Sequence, residues 1–167
     1  MGRNTSYHRP EGINGGISSM KSIVFPYGIR FQEDGKIATF PAAQGRLRGE
    51  QPAETIYGVF LIDSGATTSV LPASDAEVLG VRLHKGTKVV VRGIGATDYV
   101  GYKHTVICIL ETGSFNLPVV FIDHPATLRV FGREGLFDKF LILFDELKQR
   151  TIFLSPGERK NINTLIK

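Results

Sequence analysis

Phe60-Leu61-Ile62-Asp63-Ser64-Gly65-Ala66-Thr67-Thr68-Ser69-Val70-Leu71-Pro72 is the stretch on which the reading of this chain turns. Three large apolar residues lead into an ionisable Asp63, and Ser64-Gly65 follow at once. An apolar strand ending in this way delivers a carboxylate to the rim of a core. Gly65 has no Cβ, so a backbone or a ligand can approach closely. A carboxylate held beside a hydroxyl and free amides has the setting of a reactive acid. The plainer alternative is an Asp that ends a strand and caps a turn. On the triplet alone the plainer reading has the advantage.

Outward from this stretch the chain reads as short strands. Ile56 to Ile62 is strongly apolar. Upstream, Ile23-Val24-Phe25 and Gly28-Ile29-Arg30-Phe31 precede Asp34-Gly35, a hairpin-turn signal, with Ile37-Ala38-Thr39-Phe40 as the return strand. Residues 41–53, rich in Gly, Pro and Arg, read as a loop. Downstream, Ser74 and Glu77 have the spacing of a capping box, and Gly80 is a stop signal. They predict a helix of one to two turns over 75–79. Val89-Val90-Val91 and residues 105–110 are strands flanking a Gly-rich segment, 93–101. Residues 117–122 form another strand. Residues 132–140 predict a short helix, with Leu136, Phe137 and Phe140 on one face. The last strands are 141–144 and 151–154, joined by a turn at 145–150. Residues 1–19, with five glycines or prolines, read as a mobile N-terminal tail. The folded domain spans 20–154 and a polar C-terminal tail spans 155–167. The expected class is all-β with one or two short helices.

Composition supports one domain. The chain has 167 residues, and its 42% hydrophobic residues can fill a core. A single cysteine, Cys108, excludes an intrachain disulfide and a cysteine zinc site. It lies in the apolar run 106–110, where a buried structural thiol is expected. The net charge of +4 is spread over dispersed Lys and Arg residues. No basic run with interleaved aromatics suggests single-strand binding, so no nucleic-acid partner is expected. No apolar run has the length of a membrane span, and the N-terminus lacks a signal-peptide core. A cytoplasmic location is the expectation. His8, His84, His104 and His124 have no metal-ligand spacing, so neither metal nor cofactor is expected. Gly93-Ile94-Gly95 begins like a dinucleotide fingerprint, but Asp98 stands where the third Gly belongs. Ser64 and Ser69 lack the flanking glycines of a nucleophile elbow.

Three motifs in order change the balance at Asp63. Residues 60–66 resemble the active-site loop of aspartic proteases, with its hydrophobic-hydrophobic-Asp-(Thr/Ser)-Gly-Ala signature. Gly93-Ile94-Gly95-Ala96, between two strands, looks like the tip of a retropepsin flap. Val130-Phe131-Gly132-Arg133 looks like the stretch that leads into the C-terminal helix of retropepsins. The resemblance runs from about Ile56 to Leu154; residues 22–53 match less well. Asp-Ser-Gly occurs once, and Asp123 in Phe121-Ile122-Asp123-His124-Pro125 lacks the following Ser/Thr-Gly. A two-lobed enzyme would carry two triplets, so the chain is similar to the single-lobe family. The resemblance implies a closed, barrel-like acid-protease lobe that forms a homodimer. Asp63 then faces its own copy across a two-fold axis and acts on peptide or protein substrates.

The family's roles carry over at matching positions. Asp63 is the expected catalytic carboxylate, and Ser64, Gly65, Ala66 and Thr67 support its loop. Gly93, Ile94, Gly95 and Ala96 are the expected substrate-covering flap, and Gly132 and Arg133 are structural neighbours of the site. Thr67 is often a second Asp in retroviral enzymes, where it pairs with the arginine matching Arg133. Arg133 therefore needs another partner, such as a backbone carbonyl or Asp75. The long N-terminal segment puts in doubt the terminal sheet in which the viral enzymes interleave their chain ends. Ala66, where two-lobed enzymes often carry Ser or Thr, cannot donate a hydrogen bond to the carboxylate. A weakly acidic to neutral working pH is expected. The alternative function is a catalytically silent module that holds a peptide in the same cleft.

Overall fold

A computed structural model describes residues 22–49, 54–93 and 97–158. The expected tail over 1–19 and flap-tip residues Ile94, Gly95 and Ala96 lie outside the described residues. The strands are β1 (Ser22–Pro26), β2 (Gly28–Phe31), β3 (Ile37–Phe40), β4 (Ala42–Arg48), β5 (Thr55–Ile62) and β6 (Ser69–Pro72). After helix α1 (Ala73–Val78) come β7 (Thr87–Arg92), β8 (Asp98–Leu110), β9 (Gly113–Ile122), β10 (Val130–Phe131), β11 (Leu141–Asp145) and β12 (Arg150–Leu154). Short 3₁₀ turns cover Leu83–Lys85 and Pro156–Glu158.

Seven strands form the main sheet in the order β4-β5-β10-β6-β9-β8-β7. β4 also pairs with β8, Leu47 opposite Cys108, and this closes the sheet on itself. The expected all-β, barrel-like lobe is therefore what the chain forms. A separate three-stranded sheet, β1-β12-β11, packs beside it, and β2 with β3 makes a hairpin of its own. The core inside the closed sheet is aromatic and aliphatic. The Phe60 and Phe131 rings stack at 4.1 Å between centroids, and Leu71, Leu79, Leu117, Phe121 and Leu136 are fully buried around them. Cys108 is fully buried, and burial pushes its thiol up to about 12.

Four local expectations differ from the structure. Most of the expected loop 41–53 is strand β4, whose inward positions are Ala43, Gly45 and Leu47 and whose outward ones are Gln44, Arg46 and Arg48. The alternation is present in Ala-Gln-Gly-Arg-Leu-Arg, but small inward residues hide it. Gly45 faces Leu110 and Phe131 in the core. The capping box does not form. The helix starts at Ala73 straight after Pro72, with no side-chain cap, so Ser74 lies inside the first turn. Gly80 does end the turn after α1, in the left-handed region at φ 65°. The segment 132–140 makes two isolated turns, Phe137 N–H to Arg133 O and Phe140 N–H to Leu136 O, rather than a helix. Gly135, at φ 79°, interrupts it. Finally, the strand expected at 105–110 begins at Asp98, so residues 98–101 of the Gly-rich segment are inside β8.

Candidate active site

The apolar run 55–62 is strand β5, and the chain leaves it at Asp63. Four backbone hydrogen bonds fix the loop that follows. The Asp63 N–H donates to Phe131 O at 3.1 Å and the Ala66 N–H to Asp63 O at 3.2 Å. The Arg133 N–H donates to Ala66 O at 3.0 Å and the Glu134 N–H to Thr67 O at 2.8 Å. The loop is thus a continuation of the β5–β10 pairing, laced to the residues just past β10. Gly65 N–H donates to Asp63 Oδ1 at 2.8 Å, which turns the half-buried carboxylate toward the loop.

Gly132 sits where no other residue fits. A Cβ there would lie 2.5 Å from the Thr68 carbonyl carbon and 2.9 Å from the Ser69 nitrogen. Its N–H donates to the buried Ser69 Oγ at 3.1 Å. Arg133 is exposed and reaches back to the loop, with Nη2 3.3 Å from Thr67 Oγ1. The threonine hydroxyl thus stands in for the carboxylate that the sequence lacks here, and Asp75 is not the partner.

Asp75 is engaged elsewhere. Arg129 Nε and Nη2 each donate to one of its carboxylate oxygens at 2.7 Å, and the Asp75 side chain is only 4% exposed. The hydrogen bonds to Asp75 hold the Arg129 guanidinium above its ordinary pKa. A second network was equally silent in the sequence. Lys103 Nζ, on β8, donates to both Glu134 oxygens at 2.8 and 2.9 Å, and Thr68 Oγ1 donates to Oε2 at 3.0 Å. The Lys103 hydrogen bond holds the Glu134 carboxyl below its ordinary range. Spacing alone cannot reveal these pairs, because their members are 54, 31 and 66 residues apart.

A cleft of about 720 Å³ opens over the loop. Asp63, Gly65, Ala66, Thr67, Thr68 and Val70 line one wall, and Val89, Val90, Val91, Arg92 and Gly93 of the β7–β8 hairpin line the other. Lys103 and Val120 lie between them. At the hairpin end the Gly93 N–H donates to Thr97 O at 2.9 Å, and Arg92 forks onto Asp98 at 2.8 and 3.1 Å. Of the expected site residues the structure brings together Asp63, Gly65, Ala66, Thr67 and Gly93 around this cleft. Ser64 is exposed beside it, and Gly132 and Arg133 support the loop from behind. Asp123 is exposed just past β9 and does not line the cleft. The described histidines are used singly: His104 Nε2 bonds Leu83 O at 2.8 Å, and His84 and His124 pack edge-on against Tyr102 and Tyr99.

The family model for aspartyl proteases matches residues 43–136, more than half of the chain, so this chain belongs to the aspartyl protease family. A retropepsin-like aspartic protease from Rickettsia conorii superposes with a TM-score of 0.52 at 17% identity, over 78% of this chain and 97% of that one. The fold is accordingly the retropepsin fold. The EIAV protease solved with the inhibitor HBY-793 matches with a TM-score of 0.44 at 22% identity, over 59% of this chain and 86% of that one. A comparison with curated proteins finds no match. Among the described residues no helix is long and apolar enough to cross a membrane.

Proposed function

We propose that this chain is an aspartic endopeptidase whose active site forms from two copies of Asp63 across a two-fold axis. The observation that supports it is the Asp63 carboxylate, held by Gly65 N–H at the end of an apolar strand and facing an open cleft, in a chain of the aspartyl protease family. One copy supplies half a dyad, because the Asp-Ser-Gly triplet occurs once. Two carboxylates a few ångströms apart cannot both ionise cheaply, so they share a proton. That sharing is the established behaviour of aspartic-protease pairs. The ionised Asp63 takes a proton from a bridging water as the water attacks the scissile carbonyl carbon. The protonated Asp63 donates to the carbonyl oxygen. The tetrahedral diol then collapses, and the amine leaves with a proton returned from the dyad. No covalent enzyme intermediate forms.

The β7–β8 hairpin, with residues 93–96 as its tip, is the proposed flap over the substrate. The aliphatic wall of Val89, Val91, Val70 and Val120 suits apolar side chains flanking the cut. The test is hydrolysis of a denatured protein by wild type and by Asp63→Asn, each with and without pepstatin. Asn cannot accept the water's proton, so turnover is expected to fall by several orders of magnitude with the fold unchanged. Asp123→Asn is expected to keep near wild-type turnover. Full turnover by purified Asp63→Asn protein would refute the assignment.

A further inference from the structure

The β2–β3 hairpin is an addition to the lobe with two unlike faces. In an antiparallel pair, residues two apart share a face. On one face Phe40 lies flat over Gly28, and the Arg30 guanidinium sits 5.6 Å above the Phe40 ring, so this face is closed by its own residues. The other face carries Ile29, Phe31 and Ile37, which are 64%, 75% and 61% exposed. Phe31 and Ile37 are directly opposite each other in the register. A lone two-stranded hairpin is marginal in water, and one with a bare apolar face lacks a cover.

The root of the hairpin says where that cover must come from. On one leg, Tyr27 N–H donates to Gln149 O at 2.8 Å, and Tyr27 Oη donates to Glu146 at 3.0 Å. On the other, Pro41 O accepts from Ile62 N–H at 2.9 Å, one residue before Asp63. The arm therefore leaves the lobe beside the candidate carboxylate, at the edge where a second Asp63 has to arrive. Ser22 pairs with Leu154, whereas the hairpin root follows Pro26, which pairs with Arg150. Ser22, the first described residue, thus lies at the far end of β1, about 13 Å from the root at ~3.3 Å per residue. β1, β12 and β11 also form their sheet within one protomer.

We propose that the Ile29–Phe31–Ile37 face of this hairpin is a dimer arm that seats on a second copy of the chain at the two-fold axis. The inference rests on the half-site reading of Asp63 above. Because the interface is isologous, each copy contributes one arm and receives one, so each apolar side chain removed from water counts twice per dimer.

The chain offers a direct reporter. Cys108, its single cysteine, is buried and unreactive, so Ile37→Cys places a reactive thiol on the arm. Its rate of bromobimane labelling is followed against protein concentration, with the oligomeric state read by sedimentation on the same samples. Lys85→Cys, exposed beside β7, is the control. The expected result is a tenfold or greater fall in the Ile37→Cys rate as the dimer forms, with Lys85→Cys unaffected. Phe31→Lys is expected to raise the dimer Kd at least tenfold. A dimer that forms while Ile37→Cys labels at a constant rate overturns the arm and leaves the half-site reading standing. A thiol already protected in the dilute monomer shows that the chain's own segments cover the face, and this too overturns the arm. A chain that is monomeric at every concentration overturns the arm and the half-site reading together.

Discussion

Gly132 has almost no steric latitude. Its close neighbours are backbone atoms of Thr68 and Ser69, which cannot swing aside as a side chain would. Gly132→Ala must therefore move the loop that carries Asp63, or push β10 away from it. Overpacking of this kind costs on the order of 1–3 kcal/mol. Turnover is expected to suffer more than stability, because a carboxylate displaced by even 1 Å loses its line to the substrate. A thermal melt beside a turnover assay checks this. A variant that melts several degrees lower yet keeps wild-type turnover would show that the loop tolerates the shift. The need for glycine was legible from the motif Val130-Phe131-Gly132-Arg133, but its reason was not. The Arg133 partner was not legible: a backbone carbonyl or Asp75 was expected, and the Thr67 hydroxyl takes the place. The sequence shows Thr67 where an acid was expected, and only the fold shows that its hydroxyl lies within 3.3 Å of the guanidinium.

Among the elements, β5 and its loop could be read directly, since a long apolar run ending in Asp-Ser-Gly has one sensible placement. The Asp34-Gly35 hairpin was also legible, because its turn chemistry is local: Gly35 takes φ 78° and Lys36 N–H bonds Asp34 Oδ1 at 3.0 Å. β4 was missed because its inward face is built of Ala, Gly and a single Leu. The helix cap was missed because Pro72 ends β6 and begins α1 with no residue between. What holds α1 against the sheet was also illegible, since Arg129 and Asp75 come from distant elements. Their fork places a nearly buried carboxylate on α1 against the residue that leads into β10. Arg129→Met keeps the stem of the side chain but leaves that carboxylate without its partner. The expected cost is about 3 kcal/mol, because an unpaired buried charge is penalised more than a lost surface pair. A Tm lower by on the order of 10 °C in Arg129→Met would carry this. In the double variant Arg129→Met/Asp75→Leu most of the loss should return, since no charge is then left stranded. If the single variant melts like wild type, the pair is not holding the helix.

At the scale of the whole molecule two properties should be linked, assembly and pH. An active site split between two copies makes specific activity fall on dilution below the dimer Kd. Excess Asp63→Asn protomers should poison the wild type once subunits exchange. Constant specific activity across dilution into the monomer range would contradict the split site. The pH argument starts from the carboxylates that the fold holds charged. Glu134 is depressed first by its Lys103 hydrogen bond, Asp34 by Lys36, Asp98 by Arg92 and Asp145 by Arg150. A depressed carboxyl contributes stability that is present above its unfolded value, about 4, and is lost as pH falls through its lower folded value. All four therefore act in the same direction, and the fold weakens in acid. The Asp34 and Asp98 pairs are exposed and of little individual weight and the Asp145 pair is only half-buried, but Glu134 ties β8 to the loop beside Asp63 through Lys103, which lines the cleft. Acid should loosen the site together with the fold. Ala66 has no hydroxyl to donate to the Asp63 carboxylate. The expected profile peaks between weakly acidic and neutral pH, and the urea midpoint begins to fall below about pH 4. Glu134→Gln should reduce the acid dependence of the midpoint, because the amide has no charge to lose there. Ala66→Ser should move the descending limb of the activity profile toward acid by less than about one unit, one hydrogen bond to a charged group being its whole effect. An activity peak at pH 2–3 with an unchanged urea midpoint would contradict both halves of the argument.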